Sequence, residues 1–466
     1  MTSLSSYALT LRGRDYSPLI VGGMGTNIST AELGLAVEKL GGISHLSDAM
    51  LMDVSDRLFG TRFTAAKAKL YAGLRDAADK SAELFDLNAV REATIRYISN
   101  VMQRTTGRGL MLINCMEKLT MNSGLDTLKT RLNAALDAGI DGITLSAGLH
   151  LSSFRLMSEN KRFHDALLGI IVSSSRALNL FLRKSAATGR LPDYVVVEGP
   201  LAGGHLGFGM EDWKNHSLEA IVKEVKAFLA EKNLSIPVIA AGGIFTGGDA
   251  ARFMGEVGAN GIQAATRFAV TEESGLTCAA KQAFFNSKPE DIEVNGLSPT
   301  GYPMRMLKCS PAIESDIRPN CEAYGYLLNH GECAYLKEWK LRHEAMSAGE
   351  PVPPKEKGCL CTHMRNYKVW TCGAMASRLR ETSIQKEDGE WILPTAADVY
   401  EDYMESTGSE IRLPKAAREY LREHQTHQTH QAPQTNLSSG FVPQVAPQFF
   451  KPFAGTNREV SAKAGS

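Results

Sequence analysis

Two glycine-ended apolar runs carry the first chemical signal in the chain. Ile236-Pro-Val-Ile-Ala-Ala-Gly-Gly-Ile-Phe-Thr-Gly-Gly-Asp249 reads as a buried strand that stops at Gly242-Gly243 and opens into a helix, and Gly261-Ile-Gln-Ala-Ala-Thr-Arg-Phe268 as a second strand ending in a turn. Glycine lets backbone N–H groups approach phosphate oxygens, and a helix N-terminus favours their charge. Two such strand ends in succession predict a site for a phosphorylated cofactor or substrate. His205 lies between Gly203-Gly204 and Gly207, in the stretch Val195-Val-Val-Glu-Gly-Pro-Leu-Ala-Gly-Gly-His-Leu-Gly-Phe208. On a flexible loop after a strand, an imidazole titrates near neutral pH and exchanges protons with a substrate. Gly22, Gly23 and Gly25 follow another apolar run, and Asn114 ends a further one. These glycines permit close backbone approach, and the amide offers donors and an acceptor to a heteroaromatic edge.

A second group is soft-metal chemistry in the making. Six of the eight cysteines fall between Cys309 and Cys372. Cys333, Cys359, Cys361, His363 and Cys372 are the candidate ligands for an iron–sulfur cluster or zinc, and buried free thiols are the alternative. Neither Cys-x-x-Cys nor a ferredoxin spacing occurs, so spacing alone does not decide.

The elements that must position these groups follow from the hydrophobic rhythm. Short β-branched or apolar runs alternate with helix-period segments from Pro18 to Phe268, the pattern of repeated βα units. Eight strands are expected: 19–22, 42–46, 110–114, 142–146, 170–173, 194–198, 237–241 and 261–264. Ser29 and Glu32 are spaced as a capping box for the first helix, and Leu125, Leu128, Leu132 and Leu136 form a helical stripe, as do Leu218, Ile221, Val222, Val225 and Leu229. The fold class is therefore α/β, a (β/α)8 TIM barrel over residues 1–300 with an insertion at about 48–109 after the second strand, expected to act as a lid. A Cys-rich extension over 301–418 packs on the barrel. Residues 419–466 are His-, Gln- and Pro-rich and expected to be disordered, with His424, His427 and His430 as weak metal binders at most.

Composition excludes several classes. Lys plus Arg and Asp plus Glu number 51 each, which gives no electrostatic footprint for nucleic acid. No apolar run is long enough for a membrane span, and the start lacks the pattern of a secretory leader, so a cytoplasmic location is expected. Too few cysteines are present for a disulfide framework.

Together these motifs resemble the nitronate monooxygenase family, also called 2-nitropropane dioxygenases, and its relative the flavin-dependent enoyl-acyl-carrier-protein reductase, over residues 1–300. The resemblance implies an FMN-binding TIM barrel. Gly22, Gly23 and Met24 would lie against the isoalloxazine with Asn114 near it, and Gly242, Gly243, Gln263, Ala264 and Thr266 would surround the phosphate and ribityl chain. Glu198, Gly203 and Gly204 are counted with the cofactor contacts, and His205 faces the substrate. Ala265 stands where the family's Gln-x-Gly-Thr-Arg-Phe carries glycine, which requires a negative φ there. Ser146-Ala-Gly-Leu-His-Leu151 replaces the Ser-Phe-His-Phe-Gly segment that bears the family's catalytic histidine. His150, displaced by two positions, is the second catalytic candidate, and the departure falls on the base that removes the substrate's α-proton. Relatives with Ala-Gly-Leu here are mostly named NAD(P)H-dependent flavin oxidoreductases, and many end in Cys-Leu-x-x-Cys plus one more cysteine.

The expected activity is that of an FMN-dependent oxidoreductase that takes hydride from NAD(P)H and passes electrons to a small organic acceptor or oxygen. The alternatives are an enoyl-thioester reductase in lipid or polyketide synthesis, and a phosphosugar-type isomerase or lyase on the same barrel. A small-molecule substrate is expected, with a homodimer or a partner enzyme as the candidate assembly.

Overall fold

In the computed structural model, which describes residues 2–430, eight parallel strands close on themselves. They are β1 (Leu19–Val21), β2 (Ile43–Ser47), β3 (Leu110–Met116), β4 (Gly142–Ser146), β5 (Leu167–Val172), β6 (Tyr194–Glu198), β7 (Val238–Ala241) and β8 (Gly261–Ala264), with each paired to the next and β8 back to β1. All residues of β1, β2, β4, β7 and β8 are buried, as near-continuous apolar runs require when helices cover the outside and side chains fill the inside. β5 begins at Leu167, earlier than the sequence pattern indicates, because Gly169 breaks the apolar run. That glycine is required by packing: a Cβ on it would lie 2.1 Å from the Tyr194 ring of the neighbouring strand.

Period-two alternation sorts the strand residues into layers. Ile20, Ile43, Leu112, Tyr194, Val196 and Ile239 pack together as one inner cluster, and Leu9 and Leu11 of the N-terminal hairpin plug its lower end. Above this layer His45 Nδ1 donates to the Val21 carbonyl at 2.8 Å, and its Nε2 meets the Thr144 hydroxyl at 2.6 Å. Two residues further along their strands, Asn114, Glu198, Gln263 and Ala241 occupy the next inward positions at the carboxyl ends. The barrel is thus a filled core with one open mouth.

The first barrel helix, Ala31–Lys39, is capped by Thr30, whose Oγ1 accepts from Leu33 N at 3.0 Å, and not by the expected Ser29. Ser29 is turned inward, where its Oγ accepts from Met24 N at 2.8 Å and so holds the Gly22–Met24 loop. Between β2 and β3 the insertion forms helices Leu51–Phe59 and Phe63–Leu70 before the barrel helix Leu87–Met102.

Beyond β8 the chain builds a small antiparallel sheet of β9 (Ile292–Asn295), β10 (Met304–Leu307) and the segment Gly204–His205. Helix Ala396–Glu405 returns to the barrel wall, where Tyr400 and Tyr403 join the main core and Asp402 pairs with buried Arg267 at 2.7 Å. Residues 1–420 are therefore one unit, and the extension is part of it. Helix Lys415–His430 carries regular structure past residue 419, so an unstructured tail from that position does not hold as far as residue 430. Residues 431–466, with the rest of the expected tail, lie outside the described residues. Among the described residues no helix is long and apolar enough to cross a membrane.

Candidate active site

The mouth of the barrel holds a cavity of about 300 Å³, within the range of small-molecule sites. Its floor is the uppermost inward layer, Asn114, Ser146, Ile171, Glu198, Ala241 and Gln263, one residue from each of six strands. Gly22, Gly23 and Met24 form one side; Gly242, Gly243, Ala264, Ala265 and Thr266 form another; Gly203, Gly204 and His205 form a third. Every residue expected to contact a cofactor therefore lines this one cavity.

The glycines fall into two kinds. Gly242 and Gly243 have φ of +97° and +85°, a left-handed region that side chains avoid, so the turn after β7 needs them. Gly23 is excluded from carrying a side chain by proximity: a Cβ there would stand 2.3 Å from Asn114 Cβ. Gly247 and Gly248, at the start of the next helix, serve packing. A Cβ on Gly248 would lie 1.8 Å from Gly408 O, so this helix start is packed under the C-terminal segment. Ala265 has φ of −133°, which removes the need for glycine at that position.

His205 is fixed in place. Gly204 and His205 pair with Arg305 and Met304, and buried Arg305 donates to the carbonyls of Pro200 and Ala202 at 2.6 and 2.5 Å. The expected flexible loop is in fact a clamped edge. His205 Nε2 lies 2.6 Å from Ser298 Oγ, which in turn lies 2.7 Å from Thr300 Oγ1. Desolvation brings the His205 pKa down to about 4, so the ring is neutral at physiological pH and does not titrate near 7 as the sequence suggested. Glu198 takes that place: burial raises its carboxyl to about 7.

His150 is not at the cavity. It is 1% exposed; its Nε2–H donates to Ser146 O at 2.7 Å, and its Nδ1 accepts from Ser153 Oγ at 2.8 Å. A carbonyl can only accept, so the tautomer is fixed and no ring nitrogen is left for a substrate. With φ of +49° the residue turns the chain after β4 inward on itself, which corrects its assignment as a catalytic group. His150→Ala should lower stability by about 1–3 kcal/mol in denaturant unfolding, by leaving buried partners unsatisfied, without changing kcat by more than about twofold.

The metal candidates are also redistributed. Cys372 lines the main cavity, and His363 is fully buried elsewhere, so neither joins Cys333, Cys359 and Cys361. Among the described residues no group of three or more His, Cys, Asp or Glu side chains could hold a single metal ion as placed.

The model of the nitronate monooxygenase family matches residues 13–351. The chain belongs to the nitronate monooxygenase family. A "probable nitronate monooxygenase" of Staphylococcus haemolyticus is 35% identical over 133 residues, 27% of this chain and 36% of that protein. One from Staphylococcus saprophyticus is 29% identical over 195 residues, 42% of this chain and 49% of that protein. The chain thus spans half or less of the length of these curated relatives. Among solved structures, a nitroalkane oxidase from Streptomyces ansochromogenes has a TM-score of 0.50 at 18% identity, covering 88% of this chain and 97% of that one. The enoyl reductase domain of MlnA from Bacillus amyloliquefaciens has a TM-score of 0.50 at 14% identity, covering 88% and 96%. At these identities the structures share the fold.

Membership of the nitronate monooxygenase family does not by itself reveal the cavity's roof. It comes from the extension: Leu327, Leu360, Met364, Thr371, Cys372 and Gly373 cover the mouth, and the insertion supplies only Ala49. The lid expected of the insertion is therefore the work of another segment. Gly373 N donates to Thr266 Oγ1 at 3.0 Å and Ala374 N to Leu201 O at 3.0 Å, which ties the roof to two of the cavity's walls. Sequence reasoning missed these positions because a segment without βα rhythm has no periodicity from which to read a facing side. Cys372 was singled out only as a candidate metal ligand, and its close approach to the cavity wall is long-range: a Cβ on Gly203 would meet Cys372 C at 2.4 Å.

Proposed function

We propose that the chain is an FMN-dependent oxidoreductase that accepts hydride from NAD(P)H and delivers the electrons to a small organic acceptor or oxygen. The observation that carries this reading is Gln263 Oε1, a buried acceptor without a partner on the cavity floor, beside the positive-φ turn Gly242-Gly243. An unpaired buried oxygen costs stability unless a ligand donor meets it. A flavin mononucleotide fits that need: Gly22 and Gly23 leave a flat wall for a ring system, Asn114 offers an amide to its edge, and the turns after β7 and β8 present glycine and Thr266 to a phosphate. When bound, the flavin supplies hydride-transfer chemistry, and the protein supplies position and proton handling.

Proton handling falls to His205, Ser298 and Thr300. When Ser298 gives its hydrogen to Thr300, His205 Nε2–H donates to Ser298 and leaves Nδ1 an acceptor. When the hydroxyl hydrogens reverse, Nδ1–H becomes a donor. A neutral imidazole can thus take a proton at Nδ1 while its Nε2 proton passes to Ser298, that of Ser298 to Thr300, and that of half-buried Thr300 to solvent, and the reverse sequence releases one, so no buried cation forms. Ser298→Ala should lower kcat about tenfold, the worth of one lost hydrogen bond of roughly 1.4 kcal/mol, with KM unchanged. Unchanged turnover in steady-state assays would remove Ser298 from the proton path.

Within this class, the His150 geometry favours reduction of an enoyl thioester over oxidation of a nitroalkane, because the displaced imidazole cannot take an α-proton. Steady-state turnover with an enoyl thioester against a nitroalkane separates the two. The class itself is tested by the visible spectrum of the purified chain supplied with FMN, recorded without oxygen before and after NAD(P)H. Flavin bands that bleach are the expected result. A chain that takes up no flavin would overturn the reading and return the cavity to a phosphosugar-type substrate.

A further inference from the structure

Helix Leu360–Arg365 carries part of the cavity's roof, and its six residues make fewer than two turns. A helix that short does not hold itself, so its place is set from outside. Leu360 and Met364, four residues apart, share the face that lines the cavity. Cys361 and Arg365, one residue on, share the face that looks to the insertion. Cys361 packs on the cluster of Met50, Met52, Phe85 and Tyr326, and Arg365 reaches helix Leu51–Phe59.

Asp53 of that insertion helix receives it. The residue is 1% exposed; its Oδ1 accepts from Arg365 Nε at 3.2 Å and its Oδ2 from Arg57 Nη2. Arg57 Nη2 also donates to the carbonyl of Arg365, and its guanidinium lies 5.3 Å from the centre of the Tyr367 ring. Tyr367, with φ of +54°, turns the chain back so that Val369, Thr371 and Cys372 continue the roof. The Tyr367 hydroxyl accepts from Asn27 Nδ2 at 3.3 Å, and Asn27 lies three residues beyond Met24 in the loop after β1. One buried carboxylate thus ties the insertion to the end of the roof helix and, by way of Tyr367, to the loop that forms the Gly22–Met24 wall.

We propose that Asp53 is a positioning residue for the reaction: through Arg365 and Arg57 it sets where Leu360 and Met364 stand in the cavity, and so how NAD(P)H seats beneath them. The inference rests on the oxidoreductase reading given above. The insertion then acts on the site at one remove, supplying Ala49 to the lining and the anchor for the roof.

The charges show why the link is specific. A buried carboxylate is tolerated when both oxygens are satisfied, as they are here. The side chains of Arg57 and Arg365 are 27% and 38% exposed, so water can satisfy either one, and the buried acid is what fixes their place. Without its negative charge two guanidiniums stand beside a neutral group and repel. The roof helix, six residues against nine, is the lesser of the two elements they join and is the part that shifts.

The test is Asp53→Asn, which keeps the shape of the side chain and removes its charge, measured in the full chain with FMN supplied. Amide hydrogen exchange over residues 360–367 should quicken roughly 100-fold with the barrel strands unchanged. With oxygen as acceptor, the KM for NADPH should rise about tenfold while kcat stays within about twofold. Arg365→Gln should give the same pattern, and the double variant no more than either alone, because each breaks the same link. Glu92→Gln, which removes an exposed pair with Arg96, should change neither reading. Unchanged exchange at the roof overturns the clamp. Faster exchange with an unchanged KM, or a fall in kcat and thermal stability alone, overturns its part in the reaction. Should Asp53→Asn not fold, Arg365→Gln decides, since it leaves Asp53 paired with Arg57. A native chain that takes up no FMN or oxidises no NADPH counts against the oxidoreductase reading instead, and the exchange comparison, which needs no flavin, still decides the clamp.

Discussion

Replacing His205 with Ala should slow turnover by roughly 100- to 10,000-fold while FMN remains bound, the usual worth of a positioned general acid or base. The expectation rests on place: His205 is the cavity's imidazole, it is held by pairing to β10, and its second nitrogen is wired to Ser298. The loss should appear in kcat and kcat/KM alike, since the proton moves only as the reaction proceeds. Its pH behaviour separates it from its neighbour. His205 has a folded pKa of about 4, below the usual 6.5, so its charge is constant from neutral pH upward. As pH falls from 6.5 towards 4 the unfolded chain takes a proton that the folded chain does not, and this histidine then works against folding. Glu198, raised to about 7, is protonated below that pH and ionised above it. An inflection in kcat/KM near pH 7 should therefore persist in His205→Ala at a much lower plateau, and vanish in Glu198→Gln. Retention of full rate in His205→Ala, or loss of FMN from a folded variant, would contradict the assignment.

The barrel was legible because its signal repeats. Seven of the eight strands begin within a residue of the position that β-branched runs indicate, and the exception, β5, begins early at a stretch where Gly169 makes room for Tyr194. The cavity floor was legible for the same reason, since Asn114, Glu198 and Gln263 sit at strand ends, where a barrel places its chemistry. What failed was everything that depends on a contact between distant segments. Ser29 has the right spacing for a cap, but the loop it holds competes for it and Thr30 caps instead. His150 has the right residue type near the right strand, yet one turn of chain directs it to Ser146 and Ser153. Ser298 and Arg305, which fix His205, lie about ninety-odd and a hundred residues away in sequence. No local pattern could have paired them.

Gly23→Ala should weaken FMN binding roughly 100-fold or more, equivalent to about 2.7 kcal/mol, while the barrel still folds. The new methyl would stand 2.3 Å from Asn114 Cβ and 2.8 Å from Asn114 Cγ, distances that carbon atoms do not share, so one of the two must move. Asn114 cannot move easily. It is 5% exposed and its strand is registered on both sides, opposite Ser47 and Thr144. The Gly22–Met24 loop is the softer partner, held by the Ser29 hydroxyl, and its displacement into the cavity removes the flat wall where the ring system lies. Overpacking of this size costs the fold about 1–3 kcal/mol, which a barrel with so large a core survives. Gly22→Ala is the internal comparison: its methyl meets Gln263 Nε2 at 3.2 Å, a contact that the end of a flexible side chain can relieve, so its loss should be about tenfold at most. Fluorescence titration with FMN reads both, beside thermal unfolding of each variant. Equal affinities for the two would mean that the wall between β1 and β3 is not where the flavin lies. Adding Asn114→Gly to Gly23→Ala removes the clash itself; recovery of part of the lost affinity would show that crowding, and not the missing amide, is what closes the site.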